Sequence, residues 1–105
     1  MLYIVHIAVL NDRSDAWFRW MRDVHIDDVL GTGCFSDATM VRDPDADDAE
    51  HIAYRVLYRA RSAVDFTRYQ EEFAAPLQAD HTERFGDCIR AHRETLPVLA
   101  RATPK

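Results

Sequence analysis

The sequence predicts an α+β fold of the ferredoxin-like kind, in which a four-stranded antiparallel sheet carries two helices on one face. Three observations predict it. Hydrophobic spacing along the chain runs at the strand period, then the helix period, then strand, strand, helix and strand again, which is the split βαβ order. The 105 residues suit a single domain, residues 1–105, with no repeat and no linker. Hydrophobic residues make up 48% of the chain, enough for a core that needs neither disulfide nor metal. Right-handed crossovers put both helices on the same side and give the strand order 4-1-3-2.

Leu2 to Leu10 is rich in Ile and Val and stops at Asn11 and Asp12, so it reads as a strand, and its apolar character on both faces makes it central. Ser14 opens a helix to about Leu30. Trp17, Met21 and Val24 fall on one stripe, with Trp20 and His25 beside it. Gly31 is expected to end that helix in a left-handed conformation. Cys34 to Arg42 and Ile52 to Arg59 are the second and third strands, separated by an acidic stretch that Pro44 helps to break. Ser62 and Asp65 form a capping-box variant for the second helix. Its buried stripe is Phe66, Tyr69, Phe73 and Leu77, and Pro76 is expected to kink or split it. Phe85 to Leu96 is the fourth strand, closed by Pro97.

Strand parity divides the sheet into two faces. Tyr3, Val5, Ile7, Val9, Ile52, Tyr54, Val56, Tyr58, Ile89 and Ala91 form the more apolar face, which the helices should cover. Ile4, His6, Ala8, Arg55, Leu57, Arg59, Cys88, Arg90, His92 and Glu94 form the other. That mixed face is either solvated, as in many antiparallel sheets, or covered by the sheet of a second subunit in a barrel, an arrangement that Ile4, Leu57 and Met40 favour.

The net charge is -5, and the five acids of Asp43 to Glu50 (DPDADDAE) account for all of it. The rest of the chain is balanced, which argues against a nucleic-acid-binding surface. The acidic run is not an EF-hand, since Asp48 stands where glycine is needed and Tyr54 where glutamate is needed. It reads as a solvated hairpin loop. Cys34 and Cys88 fall on opposite edge strands, roughly 14 Å apart, too far for a bridge. With no CxxC, no signal peptide and no apolar stretch of about 20 residues, the expectation is a cytoplasmic protein with reduced thiols and no membrane contact. The five histidines share no metal-binding spacing. Gly31 to Gly33 follows a helix and so is no phosphate loop. No metal or cofactor is expected.

The segment WFRWMRDVHIDDVLGTGCFSDA (Trp17 to Ala38), with YRVLY (Tyr54 to Tyr58) and RFGDCIRAHRETL (Arg84 to Leu96), resembles the bacterial domain of unknown function 4286 family across nearly the whole chain. The resemblance implies a dimeric α/β barrel of the type found among cofactor-free cyclases and monooxygenases and among proteins that only bind ligands. Some members of that wider group carry a histidine late in the first helix, which His25 resembles. Arg93 matches an arginine of the family's last strand, and parity turns it toward the helices, where a structural ion pair is expected.

The candidate site residues are His25, Trp20, His6, Arg55, Arg90 and His92. His25 is a proton shuttle or ligand-binding group by virtue of its ordinary pKa near 6.5, or else a structural histidine favoured by the helix C-terminus. His6 and His92 are expected as cross-strand neighbours, with Arg55 and Arg90 near enough to hold an anionic or carbonyl-bearing ligand. The first expectation is therefore a homodimer binding a small organic ligand between the sheet and the first helix, with Trp20 as an apolar wall. A cofactor-free cyclase, isomerase or monooxygenase is the second, and a protein–protein interaction module the third.

Overall fold

Period-two segments pair as the alternation demands. In the computed structural model, which describes residues 1–105, strands β1 (Leu2–Leu10), β2 (Phe35–Arg42), β3 (His51–Ala60) and β4 (Ile89–Leu96) form one sheet in the order β2-β3-β1-β4, every neighbour antiparallel. Helix α1 spans residues 14–30 and helix α2 residues 63–85. The central position of β1 follows from its composition: Tyr3, Ile4, Val5, Ile7 and Val9 are all buried. No helix is long and apolar enough to cross a membrane.

The core lies between the helices and the predicted apolar face, where Tyr3, Val5, Ile7, Val9, Tyr54, Val56 and Tyr58 meet Trp17, Met21, Val29, Phe66 and Tyr69. At one end Tyr3, Phe35, Tyr58, Phe66 and Tyr69 pack ring to ring, with Tyr3 and Phe66 centroids 5.4 Å apart. At the other, the Ser14 and Tyr54 hydroxyls lie 2.6 Å apart, both residues buried, tying the start of α1 to β3.

Several local expectations need correction. Val24 is 40% exposed, and the buried stripe of α1 runs instead through Trp17, Trp20, Met21, His25 and Val29. Gly31 keeps right-handed helical angles, and the left-handed residue is Gly33 (φ 77°). Phe85 ends α2 and does not start β4, so Cys88 joins the core cluster and leaves the open face. Met40 pairs with Val56 and packs on the core, while Val41, opposite Arg55, takes the open side. Both cysteines are free and buried.

Neither helix is regular. In α1, α-helical Ser14–Trp20 and Ile26–Leu30 flank a π-helical turn, Met21–His25. In α2, the Ser62 hydroxyl accepts from the Asp65 amide at 3.0 Å and caps Ala63–Arg68. A second π-helical turn, Tyr69–Phe73, then precedes Ala74–Phe85. Pro76 explains the second irregularity. Its ring crowds the carbonyl four residues back, and the backbone departs from helical angles at Phe73 (φ -122°), which leaves proline in a first turn that needs no N–H from it.

Candidate functional site

A π-helical turn inserts a residue into the ladder and re-aims the side chains that follow, and such turns recur at functional sites. Here both turns point at the same place. Met21 and His25 from the first and Tyr69 from the second line one small chamber, of about 20 Å³, between the sheet and the helices. The rest of its wall comes from Tyr3, Val5, Ile7 and Tyr58 of the sheet, Val29 of α1, Gln78 and His81 of α2, and Arg93 of β4. A space of that size holds about one water-sized atom. Tyr3, Tyr69, Gln78 and Arg93 also line a groove of about 320 Å³ that lies beside the chamber and continues it to the surface between α2 and β4.

The floor of this site is an aromatic and imidazole stack. Trp20 lies against His25 with ring centroids 4.9 Å apart and against His81 at 5.7 Å, and the two histidines are 5.3 Å from each other. Trp17 Nε1 donates to His81 Nε2 at 2.9 Å. Because indole can only donate, His81 Nε2 must be unprotonated and its ring proton must sit on Nδ1. Burial pushes the His81 pKa down to about 4, with the His25 and Arg93 charges adding to the effect. Burial likewise lowers His25, opposed by Asp80 and Asp28. Both imidazoles are therefore neutral near pH 7. Trp20 Nε1 and His25 Nδ1 are buried without a hydrogen-bond partner, a condition that native interiors rarely tolerate without a reason.

The six candidate residues do not gather at one place. His25 and Trp20 belong to this helix-side site, while His6, Arg55, Arg90 and His92 sit on the other face of the sheet. His6 and His92 are directly opposite one another, with rings stacked at 4.3 Å and 6°, and His6 Nε2 lies 3.2 Å from Glu94 Oε1. A depression of about 330 Å³ lies beside them, bounded also by Ala8, Asp43, Ala46, Ala53 and Arg90. The acidic loop is exposed from Pro44 to Glu50, as a solvated hairpin should be, but it is not free. It folds back on the strands: Asp43 takes Arg55 at 2.8 Å, Asp47 takes Arg42 at 2.6 Å, and Asp48 takes both Arg90 at 2.8 Å and His51 at 2.9 Å. The Glu50 amide, the His51 ring and Arg90 together hold the Asp48 carboxyl far below the usual range. Arg55 and Arg90 are thus each paired with one of the protein's own aspartates in this structure.

Arg93 reverses the expectation in the other direction. It faces the helices as parity requires, opposite Val5, yet it makes no ion pair, whereas Arg55, Arg59 and Arg90 each hold an aspartate. Four contributors escape a reading by sequence: His81, Gln78, Tyr3 and Tyr69. The signal for His81 is present in its spacing, since 73, 77 and 81 continue one stripe of α2 and a polar ring on such a stripe invites a question. No group of three or more His, Cys, Asp or Glu side chains is placed to hold a metal ion.

The model of a family described as Domain of unknown function (DUF4286) matches residues 1–99. No curated protein matches the sequence. Among solved structures, the chain resembles SnoaB, a cofactor-independent oxygenase from Streptomyces nogalater (TM-score 0.63, 9% identity, covering 99% of this chain and 97% of that one). It resembles HapK from Hahella chejuensis (TM-score 0.63, 15% identity, 99% and 100% covered). It also resembles a dimeric ferredoxin-like protein from an uncultured marine organism (TM-score 0.67, 9% identity, 98% of each chain covered). At these identities the likeness is one of fold.

Proposed function

Because the chain belongs to the DUF4286 family, whose name assigns no activity, we propose its function from the geometry: a homodimeric α/β barrel that binds a small organic ligand between the sheet and the first helix, with α2 as the far wall. The observation that carries this reading is the convergence of both π-helical turns on one chamber in which His25 Nδ1 lacks a partner. The unsatisfied nitrogen costs about 1–3 kcal/mol. A ligand or water supplying that hydrogen bond offsets the cost. Trp20, stacked on His25, is the natural reporter. Native mass spectrometry of protein purified under mild conditions is expected to show a retained small molecule, and its removal should shift tryptophan emission. Crystals of the loaded protein with density on the open sheet face and none beside His25 would refute the placement.

The dimer rests on the open face and its edge. Leu57 is half-buried there beside the buried Ile4, Val41 is 39% exposed, and Leu96, Val98 and Leu99 are exposed at and just beyond the end of β4, whose outer edge has no strand partner. The solved structure of a dimeric ferredoxin-like protein of the same fold supports a dimer. Leu57→Arg places a charge in the middle of that surface and is expected to yield monomers by light scattering while leaving the fold intact by circular dichroism. A dimer that survives it would move the interface elsewhere.

A catalytic reading has one observation in its favour. A neutral, unpartnered imidazole in a small buried chamber is suited to accept a proton from a bound carbon or oxygen acid. If the chamber is a reaction site, His25→Gln should retain the ligand and abolish its turnover.

A further inference from the structure

We propose that the groove beside the chamber takes a small hydroxy-aromatic acid, with its carboxylate on Arg93, its ring against Tyr3, Phe66 and Tyr69, and its hydroxyl in the chamber beside His25. This deepens the ligand-binding reading above and rests on it.

Arg93 is the only arginine or lysine lining either the groove or the chamber, and it has no carboxylate to pair with. The groove's one acid, Glu94, lines its rim and is engaged by His6, whose Nε2 lies 3.2 Å from its Oε1, and it makes no ion pair with Arg93. A guanidinium presents a planar fork of donors that fits a carboxylate at two points. Its charge already reaches inward: it works against the burial that raises the phenols of Tyr3, Tyr58 and Tyr69, and it adds to the burial that keeps His25 and His81 neutral. Arg93 thus stands at the exposed side of the groove with buried Tyr3, Phe66 and Tyr69 behind it, and an anion complements its charge.

The walls specify the rest. Tyr3 stands 5.4 Å from Phe66 and 5.9 Å from Tyr69, while Phe66 and Tyr69 are nearly parallel at 18°. Flat apolar surfaces of this kind favour an aromatic ring. The chamber, at about 20 Å³, admits one heavy atom and no larger substituent. A hydroxyl or carbonyl oxygen is small enough for it and able to meet the unpartnered His25 Nδ1.

The test uses three probes on the full chain, 4-hydroxybenzoate, benzoate and 4-hydroxybenzamide, followed by calorimetry and by NMR of the His25 and Trp20 resonances. The hydroxy acid should bind about tenfold or more tightly than its uncharged amide, the value of one charged hydrogen-bond pair, and benzoate should bind more weakly than the hydroxy acid. Arg93→Gln should remove the preference for the acid over the amide, and Arg93→Lys should restore part of it. Equal binding of acid and amide, or an Arg93→Gln variant that keeps the preference, would overturn the anionic class while leaving a ligand site at the chamber. If none of the three probes moves the His25 or Trp20 signals, the proposed ligand class fails, and the retained molecule seen by mass spectrometry decides the broader reading separately.

Discussion

Trp17→Ala will cost the fold about 4 kcal/mol, a large share of the stability of a domain of this size. Trp17 is 0% exposed, its ring lies 4.7 Å from Tyr54, and its indole N–H is the donor to His81. Truncation therefore opens a cavity under β3 and strands a buried imidazole nitrogen at once. Trp17→Phe separates the two effects. Most of the ring packing survives, and the cost falls to about 1–3 kcal/mol, chiefly that of an unsatisfied His81 Nε2. The same variant should raise the His81 pKa, because a protonated Nε2 no longer opposes an indole N–H. Urea unfolding measures the first and histidine NMR titration the second. A Trp17→Phe protein as stable as the parent, with an unmoved His81, would mean the hydrogen bond contributes nothing.

How far this arrangement can be read from sequence depends on which interactions are local. Strand parity is local, so the faces of β1 and β3, the shared face of His6 and His92 and the inward turn of Arg93 all follow from alternation, while the register that sets His6 opposite His92 does not. The stripe of α1 is nearly local too, but the π-helical turn shifts its phase, and Val24 goes out where a regular helix would have turned it in. In α2 the expected kink at Pro76 is present, displaced to Phe73, and the buried stripe runs on past Leu77 to His81, one turn beyond its expected end. Phe85 and Cys88 belong to a helix end and a turn whose apolar residues mimic strand alternation. The acidic loop and Arg93 are legible only in three dimensions. Whether an arginine meets a carboxylate depends on which loop crosses which face, and Asp43 and Asp48 reach Arg55 and Arg90 across 12 and 42 residues of chain.

Acidification provides the second large effect. An unfolded chain protonates His81 near the ordinary histidine pKa of about 6.5, whereas the folded protein resists until about pH 4. Above pH 6.5 both states are neutral at this site and stability is at its full value. As pH falls from 6.5 toward 4, only the unfolded state gains the proton, so stability drops by up to about 1.4 kcal/mol per pH unit, near 3 kcal/mol in all, and the loss stops once the folded form also titrates. Burial is the main cause, and the groups facing the ring set the remainder: His25 and Arg93 push its pKa down while Asp80 pulls it up. The Trp17 donor works in the same direction as burial. His25 is also depressed, chiefly by burial, and contributes with the same sign, so the two rings must be separated by mutation. His81→Gln keeps an acceptor for Trp17 and removes the titration. Its urea-derived stability should therefore fall less steeply than the parent's between pH 6.5 and 4.5, and His25→Gln in addition should flatten the curve further. Parallel pH profiles for the parent and His81→Gln would show that His81 takes up its proton equally in both states, which would require the buried stack to open to water well before the protein unfolds.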